Sequence, residues 1–594
     1  MIRTPLRPLA TIMKAREQGE NPDAIEKENI RRRHEEMRDK ARLRAEGRLL
    51  VLGVAFLAAF SVIGVRMGTL ASSEAAEPRA SASGARILAQ RADIVDRQGR
   101  ILATNLETFS LYAQPQHMID KEGVAERLVE IFPDLNKQRL IKDFTGKRKF
   151  LWVRKKLSPE QKQLVHDIGD PGLLFGPREM RLYPNGKLAA HVLGGAGFGR
   201  EGVNAAEVIG VAGVEKTFDE ALRDPANGGK ALTLSLDLTV QTATERVLYG
   251  GMKLLNAKGA AAVLMDVHTG ELLSLVSLPD FDPNDRPRPL TEGDAGDSPL
   301  FNRAVQGVYE LGSTYKIFAA AQAMELGLVN ANTVIDTKGP MKVGGHRIGE
   351  FQNKNYGKLS VTDIIVKSSN RGTGRMALDI GPKRQQEFLK TLGLFEPTPV
   401  EIVEASGGKP LLPAKWTDLS AVTVSYGHGM SSTPVHLAAA YAALANGGTM
   451  VKPTILKRET PQNGPRVISA RVAAESVNML RKVVTEGTAS FGEVPGYHVA
   501  GKTGTADKPK PTGGYYDDKV INTFASIFPA HDPKYVLIVT LDEPVETSGD
   551  KPRRTAGWTA VPVAAEIIER VAPLLGLRPQ VEPVALTGIT LASN

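Results

Sequence analysis

The chain has 594 residues, 42% of them apolar, which is too long for one ordinary domain and ample for at least two cores. Lys and Arg outnumber Asp and Glu by 75 to 66, but much of the +9 balance sits in the first 48 residues, so the remainder needs no polyanion and no nucleic-acid partner is expected. There is no cysteine, which excludes disulfides, thiolate metal sites and cysteine nucleophiles.

Residues 1–48 are polar, with Arg31, Arg32, Arg33, Arg38, Lys40, Arg42, Arg44 and Arg48 interleaved with Glu35, Glu36, Asp39 and Glu46. That pattern predicts an exposed tail or a solvated helix with i,i+4 pairs. Residues 49–66 hold the uncharged stretch Leu49 to Val65, which at about 17 residues reaches the lower limit for a membrane span. The charged segment before it is too long for a cleaved signal peptide, so the stretch reads as a signal anchor. Cations crowd its N-terminal side, whereas Met67 to Ala85 has only Arg79. The positive-inside rule then puts the N-terminus in the cytoplasm and everything after the single span of an inner membrane in the periplasm.

Residues 67–85, rich in Ala and Ser with Pro78, read as a flexible linker. From residue 86 a first folded domain is expected to run to 229. Within it Arg91-Ala92-Asp93-Ile94-Val95-Asp96-Arg97-Gln98-Gly99-Arg100-Ile101-Leu102-Ala103 reads as two short strands about an Asp-Arg-Gln-Gly turn. Arg181-Leu182-Tyr183-Pro184, then Ala190 to Gly194 and Gly210 to Glu215 with Asp219 and Leu222, read as turn and packing chemistry. Asn227-Gly228-Gly229-Lys230 marks a boundary, and a second domain is expected over 230–575. It opens with Leu232 to Leu236 alternating as a strand, a helix over Val240 to Leu254, and a hairpin of Ala260 to Asp266 with Leu272 to Leu278. Residues 576–594 form a tail without clear period, expected to be loosely ordered.

Chemistry concentrates in Gly312-Ser313-Thr314-Tyr315-Lys316, followed by the apolar run Ile317 to Met324. A hydroxyl three residues before a lysine puts a nucleophile and a base on one helical face. Alone, such a serine is more often a helix cap. Two later stretches change that weighing: Ser368-Ser369-Asn370, closing a helix-like segment, and Lys502-Thr503-Gly504-Thr505, following the apolar Val499-Ala500-Gly501. Ser476-Val477-Asn478 has the same S-x-N spacing but lies within Val472 to Val484, where Met479, Leu480, Val483 and Val484 predict a core helix.

The ordered set S-x-x-K, S-x-N, K-T-G is the signature of penicillin-binding proteins and serine β-lactamases. The Arg91 to Ala103 stretch also resembles the opening of the pedestal domain in class B penicillin-binding proteins, with Ala92 in place of the usual Gly. The resemblance to class B covers about Arg86 to Val571, and Arg181-Leu182-Tyr183-Pro184 with the single span is most similar to its division-specific type. It implies an α+β fold, membrane-anchored, with an elongated pedestal followed by a transpeptidase domain whose antiparallel sheet is sandwiched by helices.

By the same resemblance Ser313 is the acyl-enzyme nucleophile, Lys316 the general base, and Ser368 a proton relay to the leaving amine. Asn370 hydrogen-bonds the donor peptide, Lys502 sets the positive potential, Thr503 and Thr505 receive the terminal carboxylate, and Gly504 leaves room for close backbone approach. The implied activity is a D,D-transpeptidase cross-linking peptidoglycan stem peptides ending in D-Ala-D-Ala, probed covalently by β-lactams. The implied partners are the membrane and divisome proteins, a septal glycosyltransferase included. No cofactor or metal is implied. The alternatives are an elongation-type enzyme, a carboxypeptidase or β-lactamase, and a silent septal scaffold. No E-x-x-L-N stretch follows Asn370 to supply a deacylating base, and no stretch resembles the glycosyltransferase motifs of bifunctional relatives. Leu311 stands where the family usually has Pro, Tyr315 where Phe or Val is common and His428 where Tyr is frequent; Leu311 is expected to loosen the start of the nucleophile helix, and His428 to be a packing or turn residue.

Overall fold

The computed structural model describes residues 8–19, 21–72, 91–201, 206–462, 464–510 and 512–580. By contacts the chain falls into two units. One holds the N-terminal helices Pro8–Glu17 and Pro22–Ser72 together with residues 114–129 and 133–151. The charged half of the longer helix carries the expected i,i+4 pairs, Arg32 with Glu28, Arg31 with Glu35 and Arg42 with Glu46, at 3.4, 3.2 and 2.7 Å and exposed. Exposed pairs of this kind add little, so they support a helix whose propensity already favours it. Its apolar window, Glu46–Met67, is 22 residues long, enough to cross a membrane, and none of it is buried in the protein. The helix runs on to Ser72, into the expected linker, because no proline between Met67 and Ser72 interrupts the hydrogen-bond ladder. The rest of that linker and residues 581–594 of the expected tail lie outside the described residues; Gln580 is tied down by its N–H to the Gly496 carbonyl at 2.9 Å.

The other unit begins with the expected hairpin. Ile94–Val95 pairs antiparallel with the long strand Ile101–Ala113, and Asp96 accepts from the backbone N–H groups of Gln98 and Arg100 to close the turn. Ile101–Ala113 pairs in turn with Leu173–Leu182. Beside this sheet the motif residues read as packing gather into one buried charge cluster: Glu215 accepts from Arg91 Nε at 2.6 Å, Arg181 Nε at 2.7 Å and the Tyr183 hydroxyl at 3.2 Å, while Arg91 also reaches Asp219 at 2.7 Å. Deleting one member of such a buried set leaves uncompensated charge, which typically costs about 3–5 kcal/mol. These residues therefore fix the fold and lie outside the chemistry.

The N-terminal sheet is clasped to the chain beyond Gly229. Ile94–Val95 pairs in parallel with Leu232–Thr233, so the expected five-residue strand is two residues long, and Leu234 instead bridges to Leu456. Asp237 caps helix Leu238–Leu254 and also receives Gln98 Nε2 at 2.7 Å and Arg100 at 2.9 Å, while Asp96 accepts the Leu238 N–H at 3.0 Å. The hairpin turn thus completes the cap of a helix on which the second sheet rests.

That second sheet has five antiparallel strands in the order Ala500–Pro509, Tyr515–Phe528, Tyr535–Asp542, Gly259–Asp266, Leu272–Leu278. Gly259–Asp266 and Leu272–Leu278 are buried almost throughout, without alternation, which requires cover on both faces. Helices Leu238–Leu254 and Ala560–Leu574 pack on each other and on the sheet; Pro434–Ala445, Ala470–Glu486 and Lys316–Glu325 make a second packed group. Ser476 sits inside Ala470–Glu486, fully buried and bonded to the Val472 carbonyl at 2.8 Å, as the core-helix reading of that triplet expects.

Candidate active site

Ala500–Pro509 is an edge strand of the sheet, and the turn bearing Ser313 is set against it. Gly312 to Tyr315 form a short 3-10 turn leading into helix Lys316–Glu325. Two glycines make the approach possible: a Cβ on Gly504 would lie 2.2 Å from the Leu311 carbonyl oxygen, and one on Gly312, at φ +57°, would lie 2.9 Å from the Thr505 carbonyl oxygen. Gly504 thus makes room for the nucleophile turn of its own chain. Leu311 does not loosen the start of the helix, because it is buried and its carbonyl accepts from the Thr314 hydroxyl at 2.9 Å. Farther in, the Tyr441 hydroxyl donates to the Thr314 carbonyl at 2.7 Å, and the Tyr315 and Ser432 hydroxyls meet at 2.7 Å. Tyr315, Phe318 and Tyr441 stack edge to face at 5.6 and 5.5 Å, fixing the nucleophile helix to Pro434–Ala445.

Ser313 is half-buried, and the first N–H groups of its turn have no intrahelical partners. Behind it two amines converge on one hydroxyl. Lys316 Nζ donates to Ser368 Oγ at 3.0 Å and to the Ser368 carbonyl, while Lys502 Nζ reaches the same Oγ at 2.9 Å and the Thr503 carbonyl at 3.2 Å. Both lysines are essentially sealed from solvent. Burial, then the charge of Lys502, holds Lys316 well below the ordinary lysine range, with Glu350 opposing them. Burial alone brings Lys502 down to about 7. A buried amine whose ammonium form is disfavoured by burial and by a neighbouring cation, as at Lys316, suits a base.

Ser368 closes helix Val361–Val366, as the sequence suggests: its N–H and that of Ser369 return to the Ile365 and Ile364 carbonyls at 3.3 and 2.9 Å. It is a left-handed residue, φ +59°, between helices Val361–Val366 and Asn370–Ile380, with Ser369 capping the second through the Gly372 N–H at 3.0 Å. Asn370 opens that helix, and its amide donates to the Gly349 carbonyl at 3.0 Å. The Thr503 hydroxyl pairs with that of Thr488 at 2.7 Å, and the Thr505 hydroxyl accepts the Ala556 N–H at 3.0 Å, so both are oriented before any ligand arrives. His428 stacks between Tyr426 and Tyr515, at 5.4 and 6.3 Å, in keeping with a packing residue.

The structure therefore brings Ser313, Lys316, Ser368, Lys502 and Gly504 into one constellation, with Asn370, Thr503 and Thr505 on the adjoining elements. Sequence reasoning missed Glu350, Thr488, Ser432, Tyr441 and Ala556, none of which belongs to a spaced motif. Glu350 carries the most: 6% exposed, it accepts from Ser369 Oγ, the Asn370 N–H and the Arg371 N–H at 2.6, 2.8 and 3.1 Å.

Residues 260–569 match the family described as penicillin binding protein transpeptidase domain, and residues 86–239 match the penicillin-binding protein dimerisation domain. Over 567 residues the chain is 34% identical to the probable peptidoglycan D,D-transpeptidase FtsI of Caulobacter vibrioides, covering 93% of each chain. It is 27% identical to the peptidoglycan D,D-transpeptidase FtsI of Escherichia coli, covering 84% of this chain and 85% of that one. Among solved structures it resembles penicillin binding protein 3 of Mycobacterium tuberculosis complexed with ampicillin, with a TM-score of 0.63, 27% identity, and coverage of 84% of this chain and 97% of that one.

Proposed function

This chain belongs to the class B penicillin-binding proteins and is a peptidoglycan D,D-transpeptidase of the division type; on that premise we propose the roles of its site residues. The observation that carries them is the convergence of two buried amines on Ser368 Oγ behind a half-exposed Ser313. Lys316, as the neutral amine, takes the Ser313 proton while Oγ attacks the carbonyl of the penultimate D-Ala of a stem peptide. The oxyanion sits between the N–H groups of Ser313 and Thr505, donors whose removal in such sites costs about 2.7–4 kcal/mol. Collapse breaks the peptide bond, and the proton travels by way of Ser368 to the departing D-Ala amine. An amino group of a neighbouring stem peptide then attacks the ester, gives its proton to Lys316 and restores Ser313. Lys502, Thr503 and Thr505 hold the terminal carboxylate, and Asn370 the donor amide, after giving up its bond to the Gly349 carbonyl.

A β-lactam presents the same acyl carbon but keeps its leaving group tethered, so it stalls at the ester. Incubation with a fluorescent penicillin should give a label on Ser313 that persists for hours after the excess is removed. Rapid release of the label would mark a hydrolase, and no uptake would mark a silent scaffold; either result defeats this reading.

The domain division at 229/230 is supported by the turn at Gly228 and Gly229, both left-handed, although the chain adds Leu232–Thr233 to the N-terminal sheet before it enters the second. Septal partners, a glycosyltransferase among them, are supported by the family membership, since a transpeptidase makes no glycan of its own. The charge asymmetry about Glu46–Met67 supports a cytoplasmic N-terminus and a periplasmic site. A reporter that functions only outside the cytoplasm should be active when fused after Gly84, and activity of a cytoplasm-only reporter there would reverse the orientation.

A further inference from the structure

Glu350 belongs to none of the spaced motifs, yet its carboxylate is spent on the turn that carries Ser368. One oxygen takes Ser369 Oγ and the Arg371 N–H, the other the Asn370 N–H. Ser369 Oγ, whose O–H donates to Glu350, accepts the Gly372 N–H, so the first N–H groups of helix Asn370–Ile380 are satisfied by Glu350 and Ser369 between them. A non-glycine residue at φ +59° costs free energy and persists only where its surroundings over-determine it. Here the over-determination comes from Glu350 on the C-terminal side of Ser368 and, on the N-terminal side, from the Ile365 and Ile364 carbonyls, which accept the N–H groups of Ser368 and Ser369 at 3.3 and 2.9 Å.

Charge points the same way. Lys316 faces Lys502 from the edge strand, Ser368 from the turn, and Glu350 from the loop before it; among the described residues Glu350 is the only carboxylate acting on it. Arg371 spends its guanidinium on the Ile348 and Thr337 carbonyls and makes no ion pair with Glu350 among the described residues. Two buried amines and one buried carboxylate are neutral together when the amines share one proton. That is the state a base beside a carboxylate-capturing ammonium requires.

We propose that Glu350 is a positioning residue of the transpeptidase: its buried carboxylate fixes the turn that places Ser368 between the two lysines, and supplies the single negative charge that keeps one proton on the pair. It touches neither substrate nor reacting atoms and acts through Ser368 and Lys316. The inference rests on the roles assigned above to those two residues.

Glu350→Gln keeps the shape, removes the charge and turns an amide donor against backbone N–H groups. With full-length protein and a fluorescent penicillin, the variant should acylate at least about tenfold more slowly. The acidic limb of its acylation–pH profile should move to lower pH by about one unit or more, because loss of a nearby carboxylate makes an ammonium give up its proton more easily. Glu350→Asp should leave that limb where the wild type has it while recovering the rate only in part; a residue that merely braces the fold would not separate the two effects. A wild-type rate and an unmoved limb in Glu350→Gln would overturn the proposal while leaving the label on Ser313, and with it the transpeptidase reading, intact. Should Glu350→Gln not fold, lysine ε-carbon NMR of the wild type decides: one of the two amines neutral at neutral pH is expected, and two ammonium groups there would refute it.

Discussion

Ser313→Ala abolishes covalent penicillin binding outright. The chain has no thiol to substitute, and the other serines of the site are committed elsewhere: Ser368 Oγ is held by two amines, Ser369 donates to Glu350, and Ser476 is sealed in a helix. The fold should survive, because Ser313 is half-exposed and the turn is held by Gly312, Thr314 and Tyr315. Loss of label with unchanged thermal unfolding is the expected pair of results. A penicilloyl adduct mapped by mass spectrometry to another serine of the variant would refute the assignment on which the remaining roles depend.

Lys316→Ala should behave differently. The nucleophile remains, so the adduct still forms on Ser313, but acylation slows by the general-base contribution of about 10²–10⁴. The pH profile carries the sign. In the wild type the rate climbs as pH rises through the depressed pKa of Lys316, since only the neutral amine accepts a proton. It falls again as Lys502, at about 7, loses the charge that captures a carboxylate. The variant should lose the acidic limb and keep the alkaline one. Time-resolved mass spectrometry of the acyl-enzyme across pH checks both, and an acidic limb that persists without Lys316 would assign the base elsewhere.

The catalytic motifs are legible in the sequence because each is local and dictated by chemistry: Ser313 and Lys316 must share one helical turn, and the ordered company of Ser368-Ser369-Asn370 and Lys502-Thr503-Gly504 separates that serine from an ordinary cap. The two hairpins are legible for the same reason, their turns and apolar runs lying within a short span of chain. What stays hidden is non-local. Glu350 sits two residues beyond the strand His346–Ile348, in a stretch with no period, and its role exists only because the fold returns it to Ser369. Ser368 is legible as a helix end, but its left-handed backbone is not, since a glycine or asparagine is the usual sign of such a cap and the position holds serine. The extent of Leu232–Thr233 escapes the pattern because alternation predicts a half-buried strand without saying where its partner stops.

That short strand has a consequence for the order in which the protein is made. Ile94–Val95 lies on the sheet beside Ile101–Ala113 with its other side completed only by residues that leave the ribosome far later. Until Leu232 and Thr233 arrive, the growing chain carries an open edge of unpaired N–H and C=O groups, the kind of surface that invites pairing with another chain. Closing it ties together segments distant in sequence, a slow step by loop-closure entropy. The N-terminal sheet is therefore finished by the first residues of the catalytic half, so that neither half is assembled wholly before the other begins.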